Sequence, residues 1–549
     1  MKWWGWGEEG VSFRHDDKPS FAAFMKTAID IDVTKEPAAV ADLGSLPVPS
    51  SLAAPDLRTS LQAVVGTDNL KDDPLDRVVH SYGKGLRDLV RVRRGDMGRV
   101  PDLVIYPGSE DEVAGVVKTA LSADAVVIPF GGGTNISGSL EAPRNESRPV
   151  ISVDMSRMSS VLEIDEVSRI ARIQAGALGP DIERQLNAKG WTLGHFPDSF
   201  KHSTLGGWIA TRSSGMQSDK YGDIADLTRA VRVVTPAGIL ATRPVPASST
   251  GPSVKEMILG SEGRLGIITE ATVHVHRLPQ KRQIYGYLFP DWSRGLQAKT
   301  AIAESDAAPS VTRVSDANET RFYFATKRAE GLAGRTKSVL SKLYLQRVKR
   351  FDVHRMCLSF VGYEGSEEHV NIQKRLVDEI VARHGGMCMG TGPGELYDQK
   401  KFDAPYIRDF LLDRGALADV SETAAPWSQL ESLSNGVISR AGKAFEQIAV
   451  KGYIMCHLAH SYHSGACLYF TFAFRPSDET RPLQQYDVVK RAIQQGFIDL
   501  GGTLSHHHAV GLEHAAWLGQ DISPVGVTMI RSLLDGVDPH HNFNPRKIV

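Results

Sequence analysis

The sequence predicts an α+β protein built from more than one domain, and three observations predict it. The chain is 549 residues long, which exceeds what one hydrophobic core supports. Between residues 99 and 279, short apolar runs alternate with segments of helical period. From 280 to about 500 the runs alternate residue by residue, as antiparallel strands do, with helical stretches between them.

Residues 1–98 read as an N-terminal extension. It opens with the tryptophan-rich Lys2-Trp-Trp-Gly-Trp-Gly7, is punctuated at Leu46-Pro-Val-Pro-Ser-Ser51, and has a polar stretch, Asp76–Val90, read as helical. The clustered tryptophans are expected to pack onto another domain. In residues 99–279, Val100–Ile105 reads as a strand. A helix follows, with Ser109 as N-cap, Glu112 at the capping-box position, and Val113, Val116, Val117 and Ala120 on one face. Ala125–Ile128, Val150–Val153, Ile170–Gln174 and Ala271–Val275 read as strands, and Gly179 opens another helix. In residues 280–500, Gln283–Phe289, Met356–Phe360 and Cys467–Phe474 read as strands and Val370–Arg383 as a helix. Residues 501–549 form a C-terminal segment with three consecutive histidines.

Composition bounds the function. Net charge is −1, so no global field draws nucleic acid. Cys357, Cys388, Cys456 and Cys467 form no Cys-x-x-Cys pair, which argues against a zinc site or disulfide framework and for a reducing compartment. No apolar run approaches the ~18 residues of a spanning helix. Secretory and peroxisomal signals are not seen, and a cytoplasmic location is expected.

Three glycine-rich stretches carry the chemistry. The first is Pro129-Phe-Gly-Gly-Gly-Thr-Asn135, directly after a strand. Consecutive glycines expose a row of N–H groups that suits anionic oxygens. The second runs from Pro197-Asp-Ser-Phe-Lys-His-Ser203 through Gly206-Gly207 to Ala210-Thr-Arg-Ser213. The third is Leu259-Gly-Ser-Glu-Gly-Arg-Leu-Gly-Ile-Ile-Thr-Glu270. None fits the dinucleotide-binding Gly-x-Gly-x-x-Gly context or a Walker A loop. Three such loops within about 140 residues suggest a long cofactor held along its length.

In this order and spacing the loops resemble the flavin-binding domain of the vanillyl-alcohol oxidase/PCMH superfamily. The resemblance implies a PCMH-type FAD-binding domain of two subdomains at 99–279, an inserted α+β cap for substrate at 280–500, and a C-terminal segment whose histidines pack near the flavin. It places FAD contacts at Pro129, Phe130, Gly131, Gly132, Gly133, Thr134 and Asn135. It adds Pro197, Asp198, Ser199, Phe200, Lys201, His202 and Ser203 from the second stretch, then Ala210, Thr211, Arg212 and Ser213. From the third come Glu262, Gly263, Arg264, Leu265, Gly266, Ile267 and Ile268. Some members tether the flavin through a histidine in the first loop. Thr134 stands there, so non-covalent FAD is expected.

Within the superfamily the chain most resembles the alkyldihydroxyacetonephosphate synthase family, as a bacterial-type member. The resemblance rests on the tryptophan-rich start, Tyr406-Ile-Arg-Asp409, Glu422-Thr-Ala-Ala-Pro-Trp427, His460-Ser-Tyr-His-Ser-Gly-Ala-Cys-Leu-Tyr-Phe470 and Ser505-His-His-His-Ala-Val-Gly511. It implies exchange of an ester-linked acyl chain for an ether-linked alkyl chain on dihydroxyacetone phosphate, through flavin N5 and without net redox change. It implies Arg408 as phosphate ligand, Tyr462 as general acid/base, His507 and His508 as phosphate-orienting or proton-transferring groups, and Arg313 beside the flavin. The plain reading of His506 is a solvated loop histidine, and no metal site is expected.

A homodimer is also expected. The basic segment Gly331–Phe351, with Val339, Leu340, Leu343 and Val348 on one helical face, is read as a candidate for peripheral membrane contact. The tail Asn542-Phe-Asn-Pro-Arg-Lys547 equally resembles FAD-linked D-2-hydroxyacid dehydrogenases, which supply the alternative: oxidation of a lactate-, glycolate- or 2-hydroxyglutarate-like acid.

Overall fold

The computed structural model describes residues 2–38, 40, 42–328 and 351–549. The basic segment at 331–350 lies outside the described residues. The chain divides into two compact units. One comprises Met1–Glu9, Val40–Leu278 and His507–Val549; the other comprises Gly10–Ala39 and Pro279–His506. The 1–98 extension is therefore shared between the two units rather than standing alone. Within the C-terminal segment, residues 501–506 fall in the second unit, where 503–506 are hydrogen-bonded along a strand, and His507–Val549 fall in the first.

The first unit holds two main sheets. The smaller has the order Leu70–Lys71, Leu103–Ile105, Val150–Asp154, Val126–Phe130. Its last three strands run parallel. Five antiparallel strands make the larger sheet: Val161–Asp165, Ile170–Gln174, Ile267–His274, Thr228–Thr235 and Gly238–Ala241. The helix Glu110–Ser122 joins them. Its buried Val113, Val116, Val117 and Ala120 share one core with Val127 and Ile151 of the first sheet and Val234 and Ile267 of the second. This is the apolar face read from the sequence. Ser109 caps it by accepting from the Glu112 amide at 3.2 Å, but the Glu112 carboxylate accepts from Gly108 N–H instead of closing a capping box.

The stretch 76–90 is not one helix. Pro74–Val79 and Leu86–Arg93 are separated by a turn, where Lys84 N–H donates to the Asn135 carbonyl at 2.6 Å. A Cβ at Gly83 or Gly85 would strike the carbonyl of Asn135 or Ile136. The break is set by close approach to the first glycine-rich loop, which helical periodicity does not report. Trp3 and Trp6 are buried. Trp3 packs with Val78, Tyr82 and Val92, and the Trp6 ring meets His202 edge-on at 5.8 Å.

The C-terminal tail is part of this unit's core. Phe543 is fully buried and lies parallel to Val127, with Val127 N–H donating to Asn542 O at 2.7 Å and Asn544 N–H to Val127 O at 2.9 Å. Lys547 is buried and donates to the Glu141 carbonyl at 2.5 Å. Burial pushes its pKa down to about 8. An unfolded lysine titrates near 10.4, so between those values the unfolded chain binds more protons, and stability conferred through this group rises with pH. Urea unfolding of this unit is expected to show a gain of about 3 kcal/mol from pH 8 to pH 10.5 that Lys547→Met lacks.

The second unit is a seven-stranded sheet in the order Met387–Gly390, Lys281–Phe289, Cys357–Gly365, Val311–Ser315, Gly452–Ser461, Gly465–Phe474, Leu417–Pro426. Every pairing is antiparallel. Strand alternation divides its two faces. Phe470, Phe472 and Phe474 point to one side, where they meet Phe497 and Tyr486 of the helix Pro482–Asp499 and Phe445 of the helix Leu430–Gln447. Tyr469 and Ala473 point to the other. There Ala418, Tyr453 and Ala473 pack with Phe410 of the helix Ala404–Leu412 and Phe21 of the helix Phe21–Ile29.

Candidate active site

In the first unit the three glycine-rich stretches converge. Gly131 and Gly132 lie against the second stretch, where a Cβ would collide with Thr204 Oγ1 and with the His202 carbonyl respectively, and Gly133 has φ +64°. The second stretch is a tight turn, with Phe200 N–H donating to Pro197 O at 2.9 Å and His202 N–H to Ser199 O at 2.8 Å. It leads into the short helix Leu205–Thr211, capped by Thr204. Ser203 is held from inside by the Trp208 indole N–H at 2.6 Å. Glu262 N–H donates to Ala210 O at 2.9 Å, joining the second stretch to the third.

Glu262 is the knot among them. Its buried carboxylate accepts from Ser139 of the first loop and from the amides of Val510 at 2.9 Å and Gly511 at 3.0 Å. Burial pushes its pKa up, and these donors oppose the shift. Sequence reading placed Glu262 among the flavin contacts; the structure gives its carboxylate the task of fastening the loops and the C-terminal segment. Arg212 was named among the same contacts. It takes the left-handed cap conformation at φ 52°, and its exposed guanidinium pairs with Glu256 at 3.2 Å. Pro129 and Phe130 end the strand Val126–Phe130, and the Phe130 ring lies under Gly133. Ile267 and Ile268 begin the strand Ile267–His274, while Gly263 touches the Pro129 ring and Gly266 has φ +142°.

The first loop fits a diphosphate. Among the described residues, no protein group accepts the successive amides from Gly131 to Ile136. Buried or half-buried amides without acceptors are costly unless a ligand supplies them, and such a row of donors is an anion nest. Asn135 braces the loop by accepting from the amides of Ser137 at 3.1 Å and Ser139 at 2.9 Å through its side chain. Thr134 offers a hydroxyl and no imidazole. His195 is fully buried near the second stretch, with Nε2 at 3.3 Å from Ser213 Oγ, and burial pushes its pKa down to about 4.

In the second unit the site is built on the tyrosine-bearing face of the sheet. Tyr462 sits in the turn between Gly452–Ser461 and Gly465–Phe474, closed by Tyr462 N–H donating to Gly465 O at 2.8 Å. Trp427 pins that turn through its indole N–H, 3.1 Å from Tyr462 O. The Tyr462 hydroxyl is 2.5 Å from His506 Nε2. His506 stacks on His460 at 5.4 Å, and its backbone N–H donates to Glu422 at 2.6 Å. Ser505 Oγ donates to the other Glu422 oxygen at 2.9 Å, and Thr503 N–H donates to Ala424 O at 3.0 Å. Tyr462 is thus hydrogen-bonded to His506, whose plain reading from the sequence was a solvated loop histidine. His507 and His508, the pair singled out from the sequence, belong to the first unit, with rings 4.4 Å apart. Glu422, Cys467 and His506 also bring the donor types of a metal site together. Both Glu422 oxygens already accept hydrogen bonds, so that carboxylate is satisfied without a cation.

Register extends the site across the sheet. Glu422 stands opposite Tyr469, Tyr469 opposite His457, and His457 opposite Ser315. Arg313, two residues before Ser315 on its strand, shares that face. Arg313 donates to Glu319 at 2.7 Å, and His457 Nδ1 is 3.0 Å from the same oxygen. Burial alone would push the Glu319 carboxyl up, but the hydrogen bond from the His457 ring and the Arg313 guanidinium hold it at about 2. A polar row therefore runs from Arg313 through Glu319, His457, Tyr469 and Glu422 to His506 and Tyr462. Sequence reading found its two ends and missed its middle. Glu422 and Tyr469 stood within recognised motifs, but they become neighbours of each other and of His457 only through strand register. Arg408 lies on the helix Ala404–Leu412, which packs on this same face; its guanidinium is largely buried, 3.5 Å from Asp409.

Both parts of the chain match known families. Residues 101–242 match the FAD binding domain family, and residues 278–548 match the C-terminal domain of FAD linked oxidases. The alkyldihydroxyacetonephosphate synthase of Dictyostelium discoideum is 39% identical, covering 100% of this chain and 93% of that protein. A solved structure of an alkyldihydroxyacetonephosphate synthase superposes with a TM-score of 0.86 at 36% identity, covering 100% of this chain and 98% of the other. The glycolate oxidase subunit GlcD of Bacillus subtilis is more distant, at 25% identity over 90% of this chain.

Proposed function

This chain belongs to the alkyldihydroxyacetonephosphate synthase family, an FAD-dependent group of enzymes, and from that premise we propose that it replaces the acyl chain of acyl-dihydroxyacetone phosphate with a fatty alcohol, giving alkyl-dihydroxyacetone phosphate. The observation that carries the proposal is the Tyr462–His506 pair, locked by Glu422 on a polar sheet face. The exchange needs a proton to leave and return at the carbon beside the ketone, and a hydroxyl hydrogen-bonded to an imidazole is built to relay one.

Bound FAD supplies a nucleophilic ring nitrogen and an electron sink and ends the cycle at its starting oxidation state. Gly131–Asn135 would hold its diphosphate through backbone N–H groups, with no covalent tether at Thr134. Tyr462 holds the mobile proton at its hydroxyl oxygen, and His506 Nε2 is the station that accepts it. Glu422 keeps that imidazole in place through the His506 backbone.

Arg408 presents parallel N–H donors that match a phosphate. Arg408→Ala is expected to raise KM for the phosphorylated substrate by about 100-fold while changing kcat less. Arg408→Lys should recover little of this, because an ammonium does not reproduce the planar fork. Steady-state kinetics on both variants check this.

The reading as a whole is tested by incubating the FAD-loaded protein with acyl-dihydroxyacetone phosphate and labelled fatty alcohol, without an electron acceptor. Label in an alkali-stable ether product is the expected result. Anaerobic bleaching of the flavin by D-lactate, glycolate or D-2-hydroxyglutarate, with no ether formed, would favour the 2-hydroxyacid dehydrogenase alternative.

The same reading extends to the enzyme's setting. A homodimer is proposed, cytoplasmic and in peripheral contact with the inner face of the membrane. The basic, amphipathic sequence of residues 331–351 and the lipid character of the proposed substrates support the membrane contact. Among the described residues no helix is long and apolar enough to cross a bilayer. Sedimentation velocity and vesicle co-sedimentation test the dimer and the contact.

A further inference from the structure

His457 lies at the centre of the polar row, and the proton relay at Tyr462 leaves it unused. It is 6% exposed, on the strand Gly452–Ser461, with its ring stacked on Tyr469 at 5.0 Å and 21°. Its Nδ1 is 3.0 Å from Glu319 Oε1. Arg313 lies 3.1 Å from the same nitrogen but donates to Glu319 Oε1 at the shorter 2.7 Å; Glu319 is a carboxylate and only accepts, so Nδ1 carries the hydrogen. Nε2 of a neutral ring is then an acceptor. Among the described residues, no protein group hydrogen-bonds to His457 Nε2.

The neighbours keep this ring neutral. Burial lowers the His457 pKa first, and the Arg313 guanidinium lowers it further, with Glu319 opposing. The charged and titratable groups packed around it are Arg313 from the strand Val311–Ser315, Asp316 and Glu319 at the start of the helix Ala317–Ala325, and Tyr469 from the adjoining strand. Asp316 is itself raised to about 7 by burial. Carboxylate, imidazole Nδ1–H and an open Nε2 form a base with its orienting group already in place.

We propose that His457, oriented by Glu319, takes the proton of the incoming fatty alcohol, a step that rests on the exchange reaction inferred above. As the alcohol oxygen bonds to the carbon vacated by the carboxylate, its O–H bond breaks. The bonding pair stays on oxygen and the proton moves to Nε2. The resulting imidazolium is stabilised by the Glu319 carboxylate and loses its proton to solvent once product leaves. The acyl chain departs as a carboxylate anion, so one proton is released per turnover and no electrons are exchanged. This divides the work between two pairs: Tyr462 with His506 at the carbon, His457 with Glu319 at the alcohol. Arg313, bound to the same Glu319 oxygen, is held still by the same carboxylate.

The test uses FAD-loaded His457→Gln, His457→Gly, Glu319→Gln and Glu319→Asp proteins, with two readouts. Release of labelled acid is followed in a single turnover without alcohol, and incorporation of labelled alcohol is followed at steady state. His457→Gln is expected to lower incorporation by about 10²–10⁴-fold, the range for a lost general base, while acid release persists. Wild-type incorporation should rise with pH through a histidine titration below the usual range, and this limb should vanish in His457→Gln. Glu319→Asp should keep more activity than Glu319→Gln, and added imidazole should partly restore His457→Gly. Equal loss of both readouts with an unchanged pH profile, or a His457→Gln protein as active as wild type, would overturn the assignment. A wild-type chain that incorporates no alcohol would overturn the family reading instead, a result distinct from any loss confined to the variants.

Discussion

Gly132→Val is expected to purify without FAD. The Cβ that valine introduces would collide with the His202 carbonyl oxygen and stand 2.9 Å from Ser203 Cα. These are backbone atoms of a tight turn, anchored by Ser203 to the Trp208 indole, so no rotamer change relieves the clash. Overpacking of this kind costs about 1–3 kcal/mol or more, and it falls on the loop proposed to hold the diphosphate. FAD affinity should drop by about 100-fold or more, read from flavin absorbance after gel filtration and from fluorescence titration of the apoprotein. Gly442→Ala is the matched control. Gly442 lies in the helix Leu430–Gln447 with open space where a methyl group would stand, and alanine there should stabilise by about 1 kcal/mol with FAD retained. A Gly132→Val protein that keeps FAD at wild-type affinity would show that the first and second stretches do not jointly form the cofactor cradle.

The second large effect is expected at Tyr462. Phenylalanine keeps the ring and the turn held by Trp427, and removes only the hydroxyl that meets His506. Alcohol exchange should fall by about 10²–10⁴-fold with flavin content unchanged. His506→Gln should fall by a similar factor. The double variant should be little worse than either single one, because two groups that pass one proton act as a unit. Additive losses would instead mean separate roles and would break the pair. An undiminished Tyr462→Phe protein would move the acid/base function elsewhere on the polar face.

Much of the fold was legible from local pattern. The helix after Ser109 was marked by its cap and its apolar spacing, because both are properties of a few neighbouring residues. The stretches proposed as the FAD cradle were legible for a similar reason: each is contiguous, and backbone donors need no partner from elsewhere in the chain. The break at 80–85 was not legible. Gly83 and Gly85 are required by the carbonyls of Asn135 and Ile136, a contact made only when the chain folds back.

The sequence by itself determined the glycine loops, and through motif resemblance it determined the flavin cofactor; it also named Arg313 and Tyr462, which the structure sets at the two ends of one polar face. Tertiary structure alone decided how that face is wired. It paired His506 with Tyr462, left the Arg212 guanidinium exposed, made Glu262 a fastening between loops, and set Glu319 and His457 side by side. The physical reason is range. A backbone anion nest is specified by adjacent residues, whereas a cross-strand row is specified by register, and register depends on which strands pair and where bulges fall. The pairing of Glu422 with Tyr469 and of Tyr469 with His457 is invisible to any window along the chain.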